Sequence, residues 1–383
     1  MDILVLISIL TFILYAFLIA YYYRAWVAIP EYLPAKENQK AARPIISVVI
    51  PARNESANIG NCLESLSRQT YPADCFEIIV VDDHSTDETW NIINGISYAG
   101  LKIVPIRLKG EEADMKTRAY KKLALENGIH AANGSLIVTT DADCSFPPAW
   151  LETIASYYAF TNAKFIAAPV KINTDKSFLS TFQTLDFITL QGITGASVFK
   201  KIHSMCNGAN LAYEKKVFFE VGGFRDIDHI PSGDDMLLMH KVYKKYPNDV
   251  LFLKSRDATV TTMPEKRWRG FINQRIRWAS KADSYDDKRI FYVLILVLLL
   301  NFLFLCMLVA GLWSHTFLFI FILLLLLKTI VEYPFVRKTA IFFNQQRLMI
   351  YFPLFQPLHI LYTVVIGLLG KFGTYMWKER KVS

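Results

Sequence analysis

The sequence predicts an α/β domain on a mostly parallel, Rossmann-like sheet, with membrane helices on both sides of it. Short β-branched runs at 45–50, 76–81, 101–106 and 135–140 alternate with stretches of helical periodicity. Strands joined by helices at this spacing form parallel sheets covered on both faces. The apolar residues, 53% of the 383, gather at the two ends of the chain.

The ends come first. Residues 1–23 carry one charge, Asp2, and residues 290–327 and 351–370 carry none. Stretches of roughly 20 apolar residues are long enough to cross a bilayer. The first has no basic start and closes in Tyr21-Tyr22-Tyr23-Arg24 instead of small residues, so it reads as a retained anchor, not a cleaved signal. Tyr21, Tyr22, Tyr23 and Trp26 suit the membrane–water interface. The expected organisation is an anchor at 1–24, a linker at 25–43, a soluble domain at 44–286 with an interfacial helix at about 266–282, and a membrane region at 287–383 with a basic tail. In that last region 291–313 should run outward and 316–336 back, ending at Arg337-Lys338. Segment 351–370 is open. A crossing would leave the tail Lys378-Glu379-Arg380-Lys381 outside, and Pro353, Pro357, Gly367 and Gly370 would allow a re-entrant or interfacial path. One N-terminal and two to three C-terminal membrane helices are therefore expected.

The net charge of +8 does not indicate nucleic acid. Arg24, Lys36, Lys40 and Arg43 follow the first apolar segment, and Arg267, Arg269, Arg275, Arg277 and Lys281 precede the second. This is the positive-inside pattern, which makes the central domain cytoplasmic. No zinc finger or aromatic-rich RNA motif accompanies the charge. The five cysteines, at 62, 75, 144, 206 and 306, form no CxxC pair and fit reduced thiols. Cys144 reads as a small buried residue.

Within the domain a helix follows the first strand, with Ile59, Cys62, Leu63 and Leu66 on one face. After the second strand, Ser85 to Glu88 reads as a capping box for the next helix, Ser85 capping and Glu88 reaching back. A helix at about 115–131 joins the third and fourth strands. Ligands of such sheets bind outside the carboxyl ends of the strands. There the sequence places Asp82-Asp83-His84-Ser85 and Asp141-Ala142-Asp143. Any one of these could be an ordinary turn residue. Two acidic clusters on neighbouring strand ends are costly, because like charges repel. A divalent cation carrying phosphates removes that cost, and hard cations such as Mg2+ pair one or two carboxylates with substrate phosphates. Further along, Gly233-Asp234-Asp235 opens a helix, where acidic residues also serve the dipole. Gln274, Arg277 and Trp278 fall at i, i+3 and i+4, on one face of another helix. That helix also has the look of an interfacial one, with Trp268 and Trp278 at headgroup depth.

The ordered set PARNE (51–55), VVDDHSTD (80–87), DAD (141–143), GDD (233–235) and QRIRW (274–278) resembles family 2 glycosyltransferases. It is most similar to the membrane-integrated branch with cellulose, hyaluronan and poly-N-acetylglucosamine synthases. The resemblance covers about 44–285, and KKLALENGI (121–129) leading into IVTTDADC looks like bacterial members of unassigned specificity. It implies a GT-A fold, an integral protein of the bacterial inner membrane, and an inverting reaction from a nucleotide sugar of the uridine type. Carried over, Asp83 contacts the base or ribose, and Pro51, Ala52, Glu55, Asp82 and Asp141 belong to the same donor pocket. Asp143, with Asp141, holds Mg2+ or Mn2+ on the diphosphate. Asp235 is the general base, and Asp234, Gly208, Asn210, Gln274, Arg277 and Trp278 surround the diphosphate and acceptor. Two departures stand out: Gly233-Asp234-Asp235 where Thr-Glu-Asp is common, and Glu126 where many relatives have Asn. The second counts against a donor-binding role for that helix.

The implied acceptor is lipid-linked or a growing saccharide. QRIRW favours a processive synthase that threads its product through the membrane, with an oligomer supplying helices for a channel. The small number of membrane segments favours one or few additions. A non-catalytic nucleotide-sugar-binding scaffold would not need every carboxylate, and a Rossmann oxidoreductase would need a GxGxxG after the first strand, which is absent.

Overall fold

A computed structural model describes residues 2–34, 43–109, 119–203, 205–280, 287–372, 375–377 and 380–382. Lys36, Lys40, Lys281, Lys378, Glu379 and the expected helical residues 115–118 lie outside these. The elements are α1 (Asp2–Ala28), β1 (Ile46–Ala52), α2 (Ile59–Ser67), β2 (Phe76–Asp82), α3 (Thr89–Gly95), β3 (Lys102–Arg107), α4 (Tyr120–Ala131), β4 (Leu136–Thr139), α5 (Trp150–Thr161), β5 (Phe165–Ala167), β6 (Val170–Ile172), α6 (Phe178–Lys200), β7 (Leu211–Glu214), α7 (Lys215–Glu220), α8 (Asp234–Lys245), β8 (Val250–Phe252), β9 (Val260–Thr262), α9 (Trp268–Ala279), α10 (Lys288–Ala310), α11 (His315–Phe342) and α12 (Phe352–Phe372), followed by β10 (Tyr375–Trp377) and β11 (Arg380–Val382).

Seven strands form the main sheet in the order β3-β2-β1-β4-β7-β5-β8, and β6 pairs with β9 beside it. β1 is parallel to β2 and to β4, and β2 to β3, whereas β7 runs antiparallel to both of its neighbours. The sheet is mostly parallel, as expected. β2 is buried along its whole length, as a central strand covered on both faces must be. Pro105 lies in β3, the edge strand, where a missing N–H does least harm to the ladder. β1 does not stop at Pro51: it continues to Ala52, Pro51 facing Val81 and Ala52 facing Asp82.

Alternate residues of each central strand feed two cores. Val48, Ile50, Ile78, Val80 and Val138 meet α2 and α5 on one face. Val49, Ile79, Val81 and Ile137 meet α4 on the other. The second core runs on without a break through α6 into Tyr22 and Trp26 of α1 and Phe335 and Phe342 of α11. α2 buries Ile59, Cys62, Leu63 and Leu66, the face read from the sequence.

Among the described residues four helices are long and apolar enough to cross a membrane, one N-terminal and three C-terminal: Ile3–Ala28, Lys288–Ala310, His315–Phe342 and Phe352–Gly370. α11 passes Arg337-Lys338 and Pro334 and ends only at Phe342. Its last turns are held by the domain. Phe335 and Thr339 press on Gly192 of α6 so closely that a Cβ there would lie 2.7 Å from the Thr339 methyl, and the Phe342 ring meets Trp26 edge-on at 5.4 Å. α12 is continuous through Pro357 and lies along α9. Tyr362 stacks on Phe271 at 5.4 Å, Ile366 packs with Ile276, and Gly370 abuts Ala279. Lys328 is enclosed by the bundle, 2.7 Å from Gln356 Oε1 and 2.7 Å from Glu332. The Gln356 amide donates to Glu332 Oε2 at 2.6 Å, and the Tyr15 hydroxyl donates to Oε1. Paired and hydrogen-bonded charge is what an apolar interior tolerates.

At the end of the sheet opposite the carboxyl ends, Glu77 accepts from Ser47 Oγ at 2.7 Å, Asn133 N at 2.6 Å and Lys102 Nζ at 2.6 Å. Burial works against its charge, but the bonds from Lys102, Asn133 and Ser47 prevail and hold the carboxyl down at about 2. A depressed carboxyl stabilises the fold above its unfolded value and loses that contribution as the pH falls towards its folded value. The thermal midpoint of the detergent-solubilised protein should therefore fall between about pH 4.5 and pH 2 more steeply than that of Glu77→Gln, measured by scanning calorimetry at matched ionic strength.

Candidate active site

The sheet order reverses at β1: the chain moves out through β2 and β3, then returns to place β4 on β1's other side. Crevices at such reversals are where open α/β sheets hold ligands. The loops after β1 and β2 are laced across this crevice. Arg53 donates to the carbonyls of Asp83 at 2.9 Å and His84 at 3.1 Å. Asn54 N donates to Ser85 Oγ at 3.0 Å, and Asn54 Oδ1 accepts from Thr86 N at 2.9 Å. Glu55 N donates to Thr89 Oγ1 at 2.7 Å, and Ser56 N to Asp87 Oδ2 at 3.1 Å. The capping box is thereby corrected. Ser85 serves Asn54, the helix begins at Thr89, and Asp87 accepts from Thr89 N at 3.0 Å. Cross-loop bonds between residues about 30 apart outcompete the local motif. Burial disfavours the Asp87 carboxylate, yet bonds from Thr89 and Ser56 hold it at about 2.

Pro51 and Ala52 end β1, and the Asp83 amide donates to the Ala52 carbonyl at 2.8 Å. Asp83 is buried, with Oδ1 3.0 Å from His84 Nδ1. Asp82 is fully buried and its carboxylate accepts no hydrogen bond among the described residues; Arg107 Nε is 3.6 Å away.

Across the crevice, the residues after β4 meet α4 and α8. Lys121 Nζ lies 2.8 Å from Asp141 Oδ1 and 3.2 Å from Asp234 Oδ2. Burial opposes its charge, but Asp141 and Asp234 raise its pKa well above the usual lysine value. Gly233, at φ +80°, makes the left-handed turn that opens α8 and puts Asp234 and Asp235 in its first turn. Asp235 Oδ2 accepts from Gly208 N at 3.1 Å and Oδ1 from Met236 N at 2.8 Å. Gly208 lies directly over this group: a Cβ there would be 3.3 Å from Asp234 Oδ2 and 3.4 Å from Lys121 Nζ. Asp143 Oδ2 accepts from Thr262 Oγ1 at 3.2 Å. Burial, Asp141 and Glu55 push its carboxyl up to about 6, so negative charge is in excess around it.

Among the described residues no three His, Cys, Asp or Glu side chains converge into a complete metal cage. The donor set still fits a divalent cation. Asp141 and Asp143 offer hard carboxylate oxygens, and Mg2+-type ions take only one or two carboxylates when phosphates supply the rest.

On α9, Gln274 and Arg277 are half-buried, and no hydrogen bond or ion pair joins them to the carboxylates among the described residues. Trp268 is 42% exposed, as an interfacial residue should be, but Trp278 turns inward, 6.2 Å from the Phe187 ring. Arg275, counted above among surface basic residues, is instead buried in an ion pair with Asp186 at 2.8 Å. Asn210 is also corrected. It is fully buried, its amide donating at 2.8 Å to Pro169 O and Ala258 O and its Oδ1 accepting from Trp150 Nε1 at 3.0 Å. Its side chain braces the loop and has nothing left for an acceptor. The sequence reading missed Lys121 and Arg53. Lys121 stands at the start of the helix judged doubtful because of Glu126, and Arg53 sits inside PARNE itself.

The glycosyl transferase family 2 model matches residues 47–222, and the glycosyl transferase family group 2 model matches residues 136–369. The "Probable glycosyltransferase YdaM" of Bacillus subtilis is 32% identical over 260 residues, 64% of this chain and 56% of that protein. The "Beta-monoglucosyldiacylglycerol synthase" of Synechocystis is 31% identical over 118 residues, 30% of this chain and 23% of that one. The chain spans about half the length, or less, of the curated relatives it matches. A mannosyltransferase from Pyrobaculum calidifontis, solved with GDP-Man and Mn2+, shares the fold at a TM-score of 0.57 and 18% identity, covering 92% of this chain and 98% of that one.

Replacing Lys121 by Met leaves Asp141 and Asp234 facing each other with no cation between them. The loss at neutral pH should be about 2 kcal/mol, given the partial exposure of the site, and a lower thermal midpoint than wild type would register it.

Proposed function

As this chain is a member of glycosyl transferase family group 2, we propose that it transfers a sugar with inversion from a nucleotide sugar to a lipid acceptor at the cytoplasmic face of the bacterial inner membrane. One observation carries the lipid acceptor: α9, the helix of Gln274, Arg277 and Trp278, is packed along the apolar helix α12. An acceptor that reaches α9 from that side comes out of the membrane. The closed Lys328–Glu332–Gln356–Tyr15 network inside the bundle speaks against a polymer passing between those helices. Among the relatives, one is named for a diacylglycerol product.

In this reading the laced loops after β1 and β2 form the donor pocket, with Asp83 facing the ribose or base and Pro51, Ala52, Glu55 and Asp82 shaping it. Asp143 with Asp141 would hold Mg2+ or Mn2+, which would supply positive charge for the departing diphosphate. Lys121, tied to Asp141 and Asp234, adds a second cation beside the same oxygens. Fixed positive charge aimed at a developing anion lowers the barrier to its departure. Asp235, steered by the Gly208 amide, takes the proton of the acceptor hydroxyl as it attacks the anomeric carbon from the opposite side. Arg277 and Trp278 line the acceptor side.

The assay is nucleoside diphosphate release by the detergent-purified full chain, over uridine and guanosine sugars with Mg2+ or Mn2+. The guanosine sugars and Mn2+ are included because the Pyrobaculum calidifontis structure holds both kinds. Asp235→Asn should lower transfer about 10²–10⁴-fold and leave the KM for donor within about twofold. Transfer near the wild-type rate would remove Asp235 as the base. Asp143→Ala should abolish the dependence of donor binding on the metal, and a titration with unchanged metal dependence would reassign the ligand.

A further inference from the structure

Arg275 is the arginine of QRIRW that the proposed reaction does not use. It is 2% exposed, and its partner Asp186 lies in the middle of α6. The pair is closed from the membrane side by His359 of α12, whose Nε2 is 3.8 Å from Asp186 Oδ1. The flat guanidinium lies 4.1 Å from the centre of the Trp278 ring and 5.0 Å from that of Phe271. Phe187, the neighbour of Asp186, reaches the same indole from α6. α6, α9 and α12 thus converge on one buried ion pair, and that pair holds one face of the indole.

A buried ion pair is a poor way to add stability, because desolvating two charges cancels most of their attraction. Apolar side chains of similar size would hold three helices together at least as well. What the pair adds is direction. A guanidinium has a fixed plane, and laid over the Trp278 ring it sets an aromatic face and a helix rotation that methylenes would leave loose. We propose that Arg275 and Asp186 form a positioning pair that sets the rotation of α9, and with it the Trp278 ring, for engagement of the acceptor. This rests on the reading of α9 as the acceptor side of the site. Neither residue touches the donor or takes part in bond making.

The test uses the full chain with two replacements: Arg275→Lys, which keeps the charge and loses the plane, and the double change Arg275→Met with Asp186→Leu, which removes both charges at similar volume. The second variant guards against a misfolded first. Emission from Trp278 is isolated by subtracting, for each protein, the spectrum of its Trp278→Phe counterpart. Transfer is followed as labelled sugar entering lipid in membranes from expressing cells, and donor KM as nucleoside diphosphate release into water. Both variants should unfold at or above the wild-type midpoint or within a few degrees below it. They should keep donor KM within about twofold, lose transfer at least tenfold, and shift the Trp278 difference emission. A double variant with wild-type transfer and an unshifted difference spectrum would overturn the pair's positioning role and leave it a packing feature. If wild-type protein labels no lipid, the acceptor reading fails on that result alone, and the Trp278 spectrum still decides whether the pair sets the ring.

Discussion

The site depends on the crowding of carboxylates at the ends of β4 and α8. Asp141, Asp143, Asp234, Asp235 and Glu55 arrive from three separate stretches of chain, and bringing like charges together is unfavourable. Lys121 offsets part of this by bridging Asp141 and Asp234. Burial first, then the charges of Asp141 and Glu55, push the Asp143 carboxyl up to about 6. A site poised this way is short of positive charge, which is what a divalent cation would bring. The surrounding architecture reads as a consequence. Gly233 takes a left-handed turn to aim α8, and Gly208 carries no side chain because Lys121 and Asp234 occupy the space.

The crevice at the strand ends and the α9 side of the domain are held by different means. Around the crevice the loops after β1 and β2 are joined by hydrogen bonds between Arg53, Asn54, Glu55 and Ser56 and the stretch from Asp83 to Thr89. Short, polar and mutually satisfied, these loops form a rigid rim on a buried sheet. The α9 side is instead hung on apolar packing and one buried ion pair, between α6, α9 and α12. Because the core under the sheet continues into α1 and α11, the domain is not tethered to its membrane helices by a loose joint. Gly192 packed under Phe335 and Thr339 leaves no room for sliding. That continuity places the helix of the QRIRW motif at a constant depth relative to the apolar segments.

Local signals failed where a distant partner was stronger. Ser85 and Glu88 have the spacing of a capping box, but Ser85 is drawn to Asn54, 31 residues away, Glu88 caps nothing with its side chain, and Asp87 accepts from the Thr89 amide. Asn210 stands in a loop next to the site, yet Trp150, Pro169 and Ala258 consume every polar group it has. Arg275 was read as one of a basic cluster beside the membrane, since charge near an apolar segment is usually solvated. Asp186 of α6 turned it inward. In each case a residue's type suggested one use, and a contact made by folding assigned another.

The sequence by itself determined the strand runs, the mostly parallel sheet, the order of the acidic motifs and the apolar segments at both ends. These follow from local periodicity and from the length needed to span a bilayer, which neighbouring residues settle among themselves. Only the tertiary structure decided that Lys121 stands among the carboxylates, that Asn210 faces inward, that Arg275 is paired with Asp186, and that α12 lies along α9. Periodicity says which residues share a face of their own element. It does not say which other element that face will meet, and each of these pairings joins residues at least 20 apart in the chain.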